Sequence, residues 1–321
     1  MSESPGTRHT AGLRIQSLDA SEDETVASLL HRSLANWYER NLRQGSRFGD
    51  SLTPFLHFPA LYRHLDPDYC LGAWRDGRLI GVAFLHPRET HVSAGIVATD
   101  PLVAGRGVAK ALMARACDLA DSHGLPLRLV SSLLNLDSFS LYSRHGFHPV
   151  AVYQDVLLRV PAHGFAETHL PHVPPDICIQ RARPEDAAEI ARAELHWCGI
   201  SRLRDYQTFL AGTVLPWEVF TARDGTGTIA GAIVFTRHPE WSMPGPAFAR
   251  DSTVMKALLF QTFNQLKGRE IVTLIPSSSR PLVDWMYSLG GRNIELHALQ
   301  VRGNWTSSSG VALPTFLPET F

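Results

Sequence analysis

The amino-acid sequence predicts an α/β fold arranged as two tandem domains, each with a mixed central sheet flanked by helices. Three observations predict it. Short apolar runs alternate with longer segments in which apolar residues recur every three or four positions. A proline-containing stretch, residues 161–176, interrupts this alternation near the middle of the chain. The segment that follows repeats features of the segment before it, which indicates a second, related domain.

Composition and charge are typical of a globular protein. The chain has 321 residues, enough for two cores, with 44% hydrophobic and 19% charged residues. A formal net charge of −1 favours neither nucleic acid nor an anionic membrane as a partner. The N-terminus is polar and no apolar run is long enough to span a bilayer, so we expect a cytoplasmic location. The four cysteines form no CxxC pair, and we expect reduced thiols and no metal site.

Periodicity and turn signals order the elements of the first hundred residues. An Asp-Gly turn at Asp76-Gly77 predicts a hairpin. Residues 39–69 are less regular and rich in aromatic rings, which we expect mainly to pack a second helix against the sheet. The other predicted elements are a strand at Leu13–Ser17, a helix at Ala20–Tyr38, hairpin strands at Cys70–Trp74 and Leu79–His86, and a strand at His91–Ala98.

The strongest functional signal is the stretch Ile96–Leu112, which predicts a strand, a turn at Asp100-Pro101 and a glycine loop that opens into a helix, Gly107–His123. The first-turn amides of a helix have no intrahelical acceptors and lie at the positive end of its dipole. Glycines let a phosphate approach such amides closely. The loop lacks the Lys-Ser or Lys-Thr of a Walker loop and the three-glycine pattern of a dinucleotide fold. Taken alone, it fits an ordinary strand-to-helix turn equally well.

A second pattern follows one strand later, after Leu125–Ser132. The pattern Asn-x-x-Ser-x-x-Leu-Tyr-x-x-x-Gly-Phe is matched by Asn135, Ser138, Leu141, Tyr142, Gly146 and Phe147. Together the two patterns resemble the GNAT superfamily of acyl-CoA-dependent N-acyltransferases, over roughly residues 13–160. The resemblance implies the element order βααβββαβαβ, closed by strands within His148–Leu158. Ala104 departs from the family pattern, which usually has Gln or Arg there.

The resemblance implies roles for individual residues. The backbone amides of Val97, Ala98 and Thr99 would hold the pantetheine of acetyl-CoA and polarise the acetyl carbonyl. The pyrophosphate would lie on the loop formed by Ala104, Gly105, Arg106, Gly107, Val108, Ala109 and Lys110. Asn135 would meet the pantetheine amides, while Ser138 and Tyr142 share a helix face. Tyr142 is the expected general acid, since a phenol of pKa about 10 can protonate a thiolate at modest cost.

The general base is left open by the sequence. Ala94 stands where several family members have a glutamate, and Glu89, His91, Ser132 and ordered water are the alternatives. The expected function is transfer of acetyl from acetyl-CoA to a primary amine, on a small molecule or a peptide, by direct attack in a ternary complex. One alternative is a non-catalytic acyl-CoA sensor or interaction module. Another is a tandem acyltransferase in which both halves shape the acceptor pocket.

The second half resembles a degenerate copy of the first. We predict a catalytic domain at 1–160, a linker at 161–176 and a GNAT-like domain at 177–321 with a structural or acceptor-site role. The copy has Asp251 where the first half has Gly105, and a carboxylate at a helix start would repel a pyrophosphate. The tail, Leu313–Phe321, is expected to pack on the surface of a domain.

Overall fold

A computed structural model of the chain describes residues 12–170, 172–241 and 243–315. The polar N-terminus and most of the tail, for which predictions were made above, lie outside these residues. The described chain forms two compact units. Unit 1 contains residues 12–87 and 92–127, and unit 2 contains residues 88–91 and 128–315.

Unit 1 is a four-stranded antiparallel arrangement with helices. Its strands neighbour one another in the order β1-β2-β3-β4. The elements along the chain are β1 (Arg14–Ser17), α1 (Asp23–Leu42), α2 (Thr53–Leu65), β2 (Cys70–Arg75), β3 (Arg78–Pro87), β4 (Val92–Thr99) and α3 (Val108–His123). This order confirms the one predicted for this part of the chain.

The helices of unit 1 begin and pack for local reasons. Before α1, Asp19 accepts a hydrogen bond from the Ser21 amide at 2.9 Å, and Glu22 accepts one from the Asp19 amide at 2.6 Å. This capping box starts a single helical turn, Ala20–Glu22, which leads directly into α1. On α2 the rings of Phe55, Phe58 and Tyr62 are buried, as a packing role for the aromatic segment requires.

Unit 2 contains two groups of paired strands. They have the orders β5-β12-β6-β11 and β13-β10-β9-β8-β7. Its elements are β5 (Leu127–Ser132, of which Leu127 belongs to unit 1), α4 (Leu136–Arg144), β6 (His148–Arg159), β7 (Cys178–Arg181), α5 (Ala187–Cys198), α6 (Leu203–Ala211), β8 (Trp217–Arg223), β9 (Ile229–Thr236), β10 (Ala247–Ala249), α7 (Ser252–Phe263), β11 (Glu270–Pro276), α8 (Arg280–Ser288), β12 (Arg292–Arg302) and β13 (Val311–Leu313).

The run from β7 to β12 repeats the order of the run from β1 to β6, namely βααβββαβαβ. The repeat confirms the tandem prediction. The core of unit 2 forms where α7 and α8 pack on the sheet, with Leu258, Met286 and Val156 among the buried side chains. Within the described residues, no helix has the length and apolar character needed to cross a membrane.

The closing strands differ from the expectation. The segment predicted to supply them, His148–Leu158, forms the single strand β6, which is antiparallel to β12 on one side and to β11 on the other. Both neighbours come from the second half of the chain, and they supply the hydrogen-bond partners that the backbone groups on each edge of a central strand need. Residues 161–176 therefore join stretches of sequence whose strands pair with each other. The limits 1–160 and 177–321 stay a prediction.

Candidate functional site

The glycine loop lies in unit 1 between β4 and α3. Gly105 and Gly107 have φ values of +76° and +81°, in the left-handed region that favours glycine. A Cβ built on either glycine would meet no heavy atom within 4 Å, so space is open above both. The α3 helix begins at Val108 without a side-chain cap. The amides of its first turn, including Ala109 and Lys110, therefore have no acceptor in the helix.

Two of the predicted loop residues use their amides within the turn. The Ala104 amide donates to the Pro101 carbonyl at 3.4 Å, and the Arg106 amide donates to the Val103 carbonyl at 3.2 Å. The arrangement concentrates the open donors on the glycines and on the start of α3. An anion is what such a group of donors binds.

Asp100 holds the turn before the loop. Its carboxylate accepts hydrogen bonds from the Leu102 amide at 2.9 Å, from Arg78 at 2.8 Å and from Arg32 at 3.1 Å. Burial raises the pKa of Asp100, but the Leu102 amide and the two guanidinium groups outweigh it and hold the pKa below its ordinary value. Asp100 therefore stays ionised and ties the turn to α1 and β3.

Val97, Ala98 and Thr99 lie on β4, directly after an irregularity. Ala83 pairs with Val97, while Leu85 pairs with Ala94. Two β4 residues thus oppose one residue of β3, which is a β-bulge that leaves an extra residue out of the ladder. The bulge therefore lies directly before the amides to which the resemblance assigns polarisation of the acetyl carbonyl.

A buried histidine that the sequence did not single out contacts this bulge. His86 Nδ1 lies 2.8 Å from Asp66 Oδ2, and His86 Nε2 lies 3.2 Å from the carbonyl oxygen of Gly95, inside the bulge. Both neighbours are hydrogen-bond acceptors, so the ring links a buried carboxylate to the bulge. Pairing of β3 with β4 brings His86 to Gly95, whereas Asp66 follows α2, 20 positions before His86.

Among the alternatives for the base, Glu89 is exposed and His91 is buried with Nδ1 3.0 Å from the Thr90 hydroxyl. The Ser132 hydroxyl accepts from the Leu134 amide at 3.2 Å. The structure therefore favours none of the three as a base.

Asn135, Ser138 and Tyr142 lie on or before α4 in unit 2. The Asn135 side-chain oxygen accepts a hydrogen bond from the Ser138 amide at 3.1 Å, which makes Asn135 the N-cap of the helix. The cap occupies the amide oxygen and leaves the Asn135 side-chain nitrogen as the donor for a ligand.

Tyr142 is 8% exposed and packs on Phe147, with ring centroids 5.9 Å apart. The ring is thus part of the packing of α4, and the hydroxyl is the group that chemistry would use. Ser138 and Tyr142 are one helical turn apart on α4, as predicted.

The corresponding helix of the second half has a different start. Asp251 caps α7 by accepting hydrogen bonds from the amides of Thr253 at 2.8 Å and Val254 at 2.9 Å. A carboxylate occupies the donors that a phosphate would need. The α7 start is therefore closed to a pyrophosphate, in contrast to the α3 start.

Unit 2 also buries ion pairs that sequence reasoning missed. Arg88 makes two hydrogen bonds to Asp205, at 2.5 and 3.1 Å, and Arg202 lies 3.0 Å from Glu194. The Tyr206 hydroxyl donates to Glu194 at 2.9 Å. Burial raises the pKa of Glu194, against the opposing effects of Arg202 and the Tyr206 hydroxyl. Arg88 and Asp205 are 117 positions apart, so no local signal could have found that pair.

Three further buried side chains meet on β6 and β12. His297 Nδ1 lies 2.7 Å from Asp155 Oδ1, and Glu295 pairs with Asp155 across the strands. Their ligand atoms all lie within 4.8 Å of one another, so they could hold a cation. The predicted absence of a metal stays a prediction.

The cysteines, all within the described residues, are free, and three of them are buried. Burial raises the pKa of the Cys70 thiol to about 12. A thiol this weakly acidic is not a nucleophile near neutral pH.

Comparison with known proteins matches one segment of the chain to a family. The model of the acetyltransferase (GNAT) family matches residues 32–147, a segment that contains the glycine loop and α4. No curated protein matches the chain.

Solved structures share the fold along nearly the whole chain. A protein described as an acetyltransferase from Pyrococcus horikoshii has a TM-score of 0.71 at 14% identity, covering 95% of each chain. A GCN5-related N-acetyltransferase from Sphaerobacter thermophilus has a TM-score of 0.63 at 15% identity, covering 92% of this chain and 98% of that one. A tandem GNAT protein from the clavulanic acid biosynthesis pathway has a TM-score of 0.57 at 18% identity, covering 92% and 100%. At these identities the likeness concerns the fold, and it confirms the tandem GNAT-like architecture.

Proposed function

We propose that the chain is an acyl-CoA-dependent N-acetyltransferase, because residues 32–147 match the model of the acetyltransferase (GNAT) family. The observation that carries the proposal is the start of α3. Two left-handed glycines, Gly105 and Gly107, leave open space beside first-turn amides without acceptors. This geometry fits the pyrophosphate of a CoA thioester.

The family resemblance assigns contacts with the CoA thioester to further residues. The amides of Val97, Ala98 and Thr99, beside the β4 bulge, would hold the pantetheine, and the Asn135 side-chain nitrogen would meet its amides. The pyrophosphate would lie on the loop Ala104–Lys110. The second half would not hold a CoA in this way, because the Asp251 carboxylate caps α7.

The proposed reaction requires two proton transfers: the acceptor amine must lose a proton, and the departing sulfur must gain one. Acetyl-CoA supplies the acetyl group as a thioester. The acceptor amine attacks as the neutral base, so its proton must leave first, to ordered water or to a base that stays unassigned. Backbone amides of β4 stabilise the negative charge on the carbonyl oxygen. Tyr142 gives its proton to the departing sulfur as general acid.

The acceptor is a primary amine of a small molecule or peptide, and neither nucleic acid nor a membrane is proposed as a partner. The proposed location is cytoplasmic. The second candidate is an acyl-CoA sensor that binds without turnover. The departure at Ala104 and the unassigned base favour it, and the intact Tyr142 favours the enzyme.

Calorimetric titration with acetyl-CoA tests the proposal, with Gly107→Glu as the disabling variant. The new carboxylate would lie at the phosphate position, and we expect one site per chain in the wild type and no detectable binding in the variant. The matched control is Gly124→Glu, at the other end of α3. Gly124 also has a positive φ, +64°, and open space around its Cβ position. The control variant therefore introduces the same backbone strain and the same charge, but at a position away from the loop.

The results separate the candidates. Binding that survives Gly107→Glu would refute the loop assignment, and two sites per chain would show that the second half also binds. Release of free thiol when amines are added would identify the enzyme, whereas binding without thiol release across a panel of amines would identify the sensor.

A further inference from the structure

Unit 2 contains a buried arginine with no counter-charge in the described residues. Arg128, the second residue of β5, is 6% exposed. Its Nε and Nη1 atoms are buried and have no hydrogen-bond acceptor among residues 12–170, 172–241 and 243–315. Buried guanidinium groups are normally paired, because removing the charge from water is costly.

The surroundings of Arg128 add positive charge. Burial, and then the charge of Arg202, lowers the pKa of Arg128 to about 10. The group therefore remains protonated near neutral pH. Arg202 has its own carboxylate, Glu194, at 3.0 Å. Glu194 therefore balances the charge of Arg202, and the charge of Arg128 is not balanced.

An aromatic ring covers one side of the group. The Arg128 guanidinium carbon lies 5.0 Å from the centre of the Trp305 ring. A ring over the face of a guanidinium leaves its N–H edge to an anion. Trp305 is half-buried and belongs to the mostly exposed segment 303–310.

We infer that Arg128 and Trp305 form a binding site, within unit 2, for a small molecule that carries one carboxylate. One monoanion balances the one uncompensated guanidinium. A phosphate dianion would instead leave one negative charge uncompensated, so the charge balance favours the carboxylate.

The test uses the full chain and needs no turnover. Thermal melting and calorimetry are followed with sodium propionate, with its uncharged isostere propionamide and with inorganic phosphate, all at constant ionic strength. The proteins are the wild type, Arg128→Met and the control Arg159→Met. Arg159 is also an arginine of unit 2, but its side chain is 80% exposed.

We expect propionate to raise the Tm of the wild type and of Arg159→Met in a saturable manner, and propionamide to leave it unchanged. Arg128→Met should not respond to propionate. Without any anion its Tm should equal or exceed that of the wild type, by up to roughly 8 °C, because an uncompensated charge is removed.

Several results would overturn the inference. A Tm of Arg128→Met well below that of the wild type, with no response of either protein to propionate, would show that another acidic group of the chain neutralises Arg128. An equal response to propionamide would show that the site does not recognise the charge of the ligand. A response to phosphate alone would exclude a carboxylate as the ligand. Acetyl-CoA titration of the wild type is a separate readout, so failure of the proposed function is distinguished from failure of this site.

Discussion

At the scale of single residues, the proposed chemistry uses side chains that also serve packing. Tyr142 is the clearest case, since its ring packs on Phe147 while its hydroxyl is the proposed proton donor. His86 is another, since it joins Asp66 to the carbonyl of Gly95 in the β4 bulge. Substitutions that keep the shape and remove the polar group separate the two roles.

Tyr142→Phe keeps the ring and removes the proton donor. We expect kcat to fall about 10²-fold, the range of a lost general acid, while the Kd for acetyl-CoA stays within about twofold. Steady-state kinetics and calorimetry measure the two quantities. Tyr287→Phe is the matched control, because Tyr287 occupies the corresponding place on α8, where its hydroxyl donates to Gln154 at 2.8 Å. Unchanged turnover in Tyr142→Phe would remove this residue from the mechanism.

His86→Gln tests the link to the bulge. A single amide group cannot reproduce both ring contacts, so the β4 amides should lose their position. We expect kcat to fall by about 10-fold, with a smaller change in KM for acetyl-CoA, because misplaced groups affect the reacting geometry most. His123→Gln, at the exposed end of α3, is the control. A loss of stability without a change in kcat would assign His86 to packing alone.

At the scale of elements, the two halves differ at one helix start: the start of α3 is open to a pyrophosphate, and the start of α7 is capped. Both helices follow a strand and a turn, but Gly107 leaves the α3 donors open and Asp251 closes those of α7. Asp100 stabilises the turn before α3, because its carboxylate accepts hydrogen bonds from Arg32, Arg78 and the Leu102 amide.

Asp100→Asn should destabilise the protein by about 1–2 kcal/mol at pH 7, because it removes the charge that both arginines contact. The folded pKa of Asp100 is below its ordinary value of 3.8. Its contribution is therefore complete above the unfolded pKa and is lost as the pH falls through the folded pKa. Urea unfolding at pH 7 and near pH 3 should show the difference shrinking at the lower pH. Asp118→Asn, an exposed acid on α3, is the control; a pH-independent difference would contradict the charge role.

At the scale of the whole molecule, strand pairing joins the two halves of the sequence within unit 2. Strand β6 lies between β11 and β12, so its backbone groups are satisfied by residues more than one hundred positions away. A chain cut at the predicted boundary would leave both edges of β6 without partners, which exposes unpaired backbone groups.

A fragment of residues 1–160 should therefore fail to fold cooperatively, while the full chain does. Circular dichroism and thermal melting of the two proteins measure the difference. A cooperative transition in the fragment, together with acetyl-CoA binding, would instead establish 1–160 as an independent domain, as the sequence predicts.

The sequence by itself determined the features that depend on neighbours along the chain. The glycine loop, the Asn135–Phe147 pattern and the repeated order of elements are local, because turns, caps and helix faces follow from residues a few positions apart. Only the tertiary structure decided which side chains meet. The Arg88–Asp205 pair spans 117 positions, the Asp155–His297 pair spans 142, and Arg128 is identified as uncompensated only once its surroundings are known. Strand pairing sets these contacts, and the partner of a strand is chosen by the packing of the whole sheet rather than by any local pattern.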